Sequence, residues 1–101
     1  MGCIVLLIEQ LLRGAMQDLN DLYFFVKIVD AGGFAAAERA LNIPKSKLSR
    51  RTARLEQRLG VRLITRSTRH FAVTDVGLRY YEHCRAMLIE AQAAQQAIDE
   101  L

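Results

Sequence analysis

The 101-residue chain has one proline, no tryptophan and two cysteines. It has no apolar run near the roughly 18 residues that a membrane-spanning helix needs. Each scarcity excludes a class. Cys3 and Cys84 stand far apart and form no C-x-x-C pair, so a disulfide framework is not expected and a reducing cytoplasm fits. His70 and His83 complete no metal-ligand spacing with them, so neither a metal nor another cofactor is expected. Paired carboxylates, a Ser/His/Asp set and a phosphate-cradling glycine loop are all missing, which sets an enzyme aside. The most local scarcity is of negative charge. Residues 45–70 hold nine lysines and arginines against one acid, Glu56, a local charge of +8. The rest of the chain carries five bases and ten acids, and the total is only +3. A division this sharp points to a polyanionic partner for one face.

What is present is ordinary for a small globular domain: 51 % apolar and 25 % charged residues. The opening MGCIVLLIEQLLRGA has neither the basic flank nor the cleavage site of a signal peptide, and Leu6 stands where N-myristoylation requires Ser or Thr. Residues 1–15 are therefore expected to be an extension ahead of a domain beginning near Met16, itself a candidate natural start. Three units follow: 1–15 as that extension, 16–74 as the folded domain and 75–101 as a long helix.

Leu19, Leu22, Tyr23, Val26 and Val29 or Ala31 recur at helical spacing, with Asn20 and Asp21 to cap or charge the start and Ala31-Gly32-Gly33 to stop it. FAAAERAL, Phe34 to Leu41, is a short helix with a smooth alanine face, ended at Asn42. Pro44 then opens a helix to Leu59, at a first position where its missing N–H costs nothing. Leu48, Thr52, Leu55 and Leu59 define that helix's buried side. Ser46, Lys47, Arg50, Ala53, Arg54 and Gln57 lie opposite, with no acid among them. Arg51 and Glu56 read as surface ion-pair formers of little energetic weight. VRLIT and FAVT, joined by the polar RSTRH, predict a hairpin with Phe71 and Val73 inward. From Thr74, a cap, the chain predicts one helix to Leu101. Along it Tyr80, Cys84, Met87, Ala91, Ala94, Ile98 and Leu101 step alternately by four and three, a heptad seam. At about 40 Å, that helix outruns so small a domain, and a second copy of itself is the expected cover.

The sum is a mainly α fold: a winged helix-turn-helix of three helices and a two-stranded wing, followed by a long dimerisation linker helix. Its residues closely resemble the N-terminal DNA-binding domain of the LysR-type transcriptional regulators. The marks are Leu22/Phe25/Val29, Phe34 before Ala36-Ala37, Leu48-Ser49-Arg50, Leu55-Glu56, Leu59-Gly60-Val61, Leu63, Arg66, Thr74 and Gly77. The resemblance implies sequence-specific binding of double-stranded DNA by a dimer on an inverted repeat. It places Lys45, Ser46, Lys47, Ser49 and Arg50 in the major groove, and Arg66 and Arg69 of the wing at the minor groove and backbone. Arg54, on the same solvent face of the helix, joins the DNA-binding set. It also implies a homodimer through the linker helix, and a small-molecule inducer bound only by a C-terminal domain beyond this chain. Gly33 replaces the family's usual Ser, Pro44 and Lys45 stand where Ser and Gln are frequent, and Lys47 where a small residue is common. Base preference therefore does not transfer from relatives. The rival reading is a winged-helix module that binds protein instead.

Overall fold

A computed structural model describes residues 4–6, 18–66 and 70–101. After residues 4–6, a helical fragment, α1 spans Leu19–Ala31, α2 Phe34–Leu41 and α3 Lys45–Leu59. Strands β1 (Ile64–Arg66) and β2 (Phe71–Val73) precede α4, Asp75–Asp99. None of the described helices is long and apolar enough to cross a membrane.

Capping residues explain most of the boundaries. Asp18, rather than Asn20 or Asp21, caps α1, its carboxylate accepting from the Asn20 N–H at 2.9 Å. Gly32 ends the helix in the left-handed conformation, and its N–H donates to the carbonyls of Ile28 and Val29. Asn42, at φ 56°, does the same for α2. Only Asn42, Ile43 and Pro44 separate α2 from α3, so the two helices must diverge steeply, as a helix-turn-helix requires. Pro44 sits one position before the helix, as its cap residue.

The core gathers Leu22, Phe25, Val26 and Ile28 of α1, Ala37 of α2, Leu48 and Leu55 of α3, then Leu63, Ile64 and Cys84. The buried side of α1 is rotated from the expected stripe. Leu19 is half exposed, whereas Phe25 and Ile28 are fully enclosed. Ala37 is closed off completely, and a larger side chain there would hold α2 away from α1 and α3.

The wing is an antiparallel pair with Ile64 opposite Val73 and Arg66 opposite Phe71. Phe71 and Val73 are half-buried and Ala72 is exposed, the alternation expected of a hairpin with one face on the helices. The first strand is shorter than VRLIT suggests because its start is committed elsewhere. The Leu63 N–H goes to Glu56, and the Leu63 carbonyl accepts from the Thr74 N–H at 2.9 Å.

Thr74 caps α4, its hydroxyl oxygen accepting from the Gly77 N–H at 2.9 Å. The first half of α4 packs on α1, with Tyr80 beside Phe25 at 5.9 Å between ring centroids and the Tyr81 hydroxyl donating to Asp30. Beyond Leu88 every residue of the helix is exposed.

Candidate nucleic-acid interface

Helix α3 is amphipathic in charge as well as in hydropathy. Leu48, Thr52 and Leu55 are buried, the Thr52 hydroxyl donating to the Leu48 carbonyl at 2.9 Å. The helix therefore has one fixed seat on the core. With that seat fixed, Lys45, Ser46, Lys47, Arg50, Ala53, Arg54 and Gln57 all face solvent, and Ser49 is half-buried at the margin. The structure thus brings six of the eight expected DNA-contacting residues onto one surface or its edge. Arg66 lies in the wing strand β1. Arg69 lies outside the described residues.

The cations of α3 divide into two groups, one facing solvent and one held by acids of α1 and its cap. Arg51 is turned toward α1, where one guanidinium nitrogen lies 3.0 Å from Asp21 and 3.3 Å from Asp18. Its guanidinium also covers the Phe24 ring, 5.1 Å from the centroid. Arg58 approaches the other oxygen of Asp21 at 3.9 Å. Asp21 is buried, so these contacts are not the weak surface pairs expected. A buried carboxylate must be compensated, and two arginines of α3 do so. They fix the helix on its scaffold, while Lys45, Lys47, Arg50 and Arg54 stay available to a partner.

Glu56 is corrected in the same way. It too is buried, and one oxygen accepts from the N–H groups of Leu63 and Ile64 at 2.8 and 3.2 Å. Its other oxygen lies 3.9 Å from exposed Arg62. The only acid of the basic segment is thus turned away from the cationic face and holds the start of the wing. The phases carried a usable signal. Asp21 shares the 21/25/28 stripe of α1, and Arg51 and Arg58 flank Leu55 at steps of four and three.

These assignments predict different behaviour for two neighbouring arginines. Arg51→Ala should cost about 1–3 kcal/mol of stability by weakening the compensation of Asp21. It should leave the salt dependence of DNA binding unchanged, because Arg51 neutralises acids of its own chain. Thermal melts and a salt titration of binding check both halves. A flattened salt slope would return Arg51 to the contact surface.

The expected dimer seam divides too. Cys84 is fully buried in the chain's own core and Tyr80 is half-buried against it, so neither is a free seam position. Burial pushes the Cys84 thiol up to about 11. Burial, helped by Cys84, raises the Tyr80 hydroxyl to about 12. Met87, Ala91, Ala94 and Ile98 remain exposed on α4, and Leu101 is exposed just past the helix end.

The sequence profile of the bacterial regulatory helix-turn-helix proteins of the lysR family matches residues 19–78. An HTH-type transcriptional regulator of Xanthomonas campestris pv. campestris (strain 8004) is 44 % identical over 84 residues, which are 83 % of this chain and 24 % of that protein. The chain spans about a quarter of the length of the curated relatives it matches. Among solved structures, the DNA-binding domain of BenM bound to catB site 1 DNA superposes with a TM-score of 0.77 at 28 % identity, covering 82 % of this chain and 92 % of that one. The DNA complex of the CbnR DNA-binding domain gives a TM-score of 0.74 at 29 % identity, with 82 % and 95 % covered. The match extends over the helix-turn-helix, the wing and the start of the long helix, and the chain belongs to the LysR family of bacterial regulatory helix-turn-helix proteins.

Proposed function

We propose that the chain is a sequence-specific double-stranded DNA-binding domain whose helix α3 enters the major groove. The observation that carries this reading is the solvent face of α3. Lys45, Lys47, Arg50 and Arg54 are exposed on it, and the helix's one acid is buried behind it. Four cations on a rod of this width suit a groove about 12 Å across. Contacts from Lys and Arg to phosphate release condensed counterions and fix position, and contacts to base edges supply sequence choice. Arg50 is assigned to a base edge, since its planar fork fits guanine O6 and N7. Ser46 and Ser49 are assigned to base edges or neighbouring phosphates. Arg66 and Arg69 are assigned to the minor groove and backbone beside the wing. Relatives with this fold were solved as DNA complexes, which supports DNA as the partner.

In this reading two copies associate through the exposed half of α4, along Met87, Ala91, Ala94 and Ile98, with Leu101 at the end. The small alanines let two such helices approach closely. A two-fold pair would set its α3 helices on half-sites of an inverted repeat, about one helical turn apart. The cytoplasm is the compartment that such a regulator occupies.

Gel-shift titration against duplex DNA across a salt series tests the proposal. Binding that weakens steeply and log-linearly with salt is expected. Absence of duplex affinity at low salt would favour a protein-binding module instead. Within the proposal, Arg50→Ala should cost about 1–3 kcal/mol on the preferred duplex and relax base choice there. Equal losses on preferred and random duplexes would reassign Arg50 to phosphate.

A further inference from the structure

The tip of α3 carries an acid that its own sequence does not supply. The first turn of α3 has no Asp or Glu, and its cap residue, Pro44, has no side-chain oxygen to offer. Glu38 of α2 fills that role across the turn, one carboxylate oxygen accepting from the Lys45 N–H at 2.6 Å. Glu38 is exposed, and among the described residues no cation pairs with it. An unneutralised carboxylate therefore lies beside Lys45, at the end of the helix assigned to the groove.

The first N–H groups of a helix form a ready seat for phosphate. On a helix-turn-helix tip such a seat would grip any phosphate of any sequence. Glu38 already takes one of these groups, the Lys45 N–H, and places a negative charge beside the others, where that phosphate would come. The cations further along α3 are left to act once the helix is seated on base edges. We propose that Glu38 is a specificity-determining residue, one that suppresses sequence-independent phosphate binding at the tip of α3. The inference rests on the DNA-binding reading above and adds to it a residue that acts by exclusion.

The test compares the 101-residue chain with Glu38→Gln on two duplexes: one recovered by selection from random DNA, the other a random-sequence control. Glutamine keeps an oxygen that can accept from Lys45 N–H and loses only the charge. Affinity for the control duplex should rise about fivefold, the worth of one like charge near 4 Å in water. Affinity for the selected duplex should change less than twofold, so the ratio between them falls. The salt slope on the control should steepen by about one counterion per protomer. Glu38→Asp, which keeps the charge, should hold the ratio near that of the parent chain. Equal gains on both duplexes, unchanged affinities, or parallel losses that track a lower melting temperature would each overturn the proposal. A parent chain with no affinity for either duplex would instead remove the DNA-binding reading itself.

Discussion

Glu56→Ala is expected to destabilise the protein by about 2–6 kcal/mol, because it strips the acceptor from two buried backbone donors at about 1–3 kcal/mol each. The donors are the N–H groups of Leu63 and Ile64, both held by one oxygen of Glu56. Leu63 and Ile64 are almost completely enclosed, so water cannot replace that oxygen without opening the core. The damage should start at the wing, since Ile64 begins β1. Glu56→Gln is the informative partner. It keeps an oxygen for the two donors and loses the charge that faces exposed Arg62 at 3.9 Å, so its cost should be well under half that of alanine. Thermal unfolding by circular dichroism measures both, and amide exchange at Leu63 and Ile64 locates the loss. Equal costs for alanine and glutamine would show that charge, not hydrogen bonding, holds the wing.

Gly77→Ala is the second large effect, and its sign runs against helix propensity. Alanine in place of glycine inside a helix ordinarily adds about 0.5–1 kcal/mol. Here a Cβ would lie 2.2 Å from the Leu63 carbonyl oxygen and 2.7 Å from Cγ1 of Val73. The Leu63 carbonyl cannot easily retreat, because it accepts from the Thr74 N–H at 2.9 Å. Overpacking against backbone typically costs about 1–3 kcal/mol and sometimes more. We expect a net loss of about 2 kcal/mol, or a melting temperature lowered by roughly 10 °C. A melting temperature at or above that of the parent chain would show that α4 can shift away from Leu63 at little cost. Both predictions converge on Leu63, whose N–H faces Glu56 and whose carbonyl faces Thr74 and Gly77. Their effects should therefore not add, and a double mutant measures the coupling.

Much of this architecture was legible in the residues. The period of α3 fixed its buried and cationic faces, because charge and hydropathy share one helical phase there. Gly32, Asn42 and Thr74 marked helix ends because their chemistry favours capping. The winged helix-turn-helix followed from element order and short turns. What local patterns obscured was set by contacts distant in sequence. Arg51 reaches Asp21 across 30 positions, and Glu56 reaches Leu63 and Ile64 around the C-terminal turn of α3. Arg51 and Glu56 looked like surface ion-pair formers because each was weighed only against its immediate neighbours. Cys84 illustrates a different gap. Its heptad spacing was real, but one stripe can serve the chain's own core at one end and a partner at the other. The Glu38 contact depends on the steepness of the turn through Asn42 to Pro44, which spacing does not encode.

Methylation interference on a duplex recovered by selection tells which groove α3 enters, because guanine N7 lies in the major groove and adenine N3 in the minor. The account predicts that guanine N7 methylation blocks binding at two clusters related by two-fold symmetry, about one helical turn apart. It further predicts that Arg50→Ala loses interference at one guanine within each cluster. Binding indifferent to guanine N7 methylation, with interference confined to adenine N3, would place α3 outside the major groove and contradict the account.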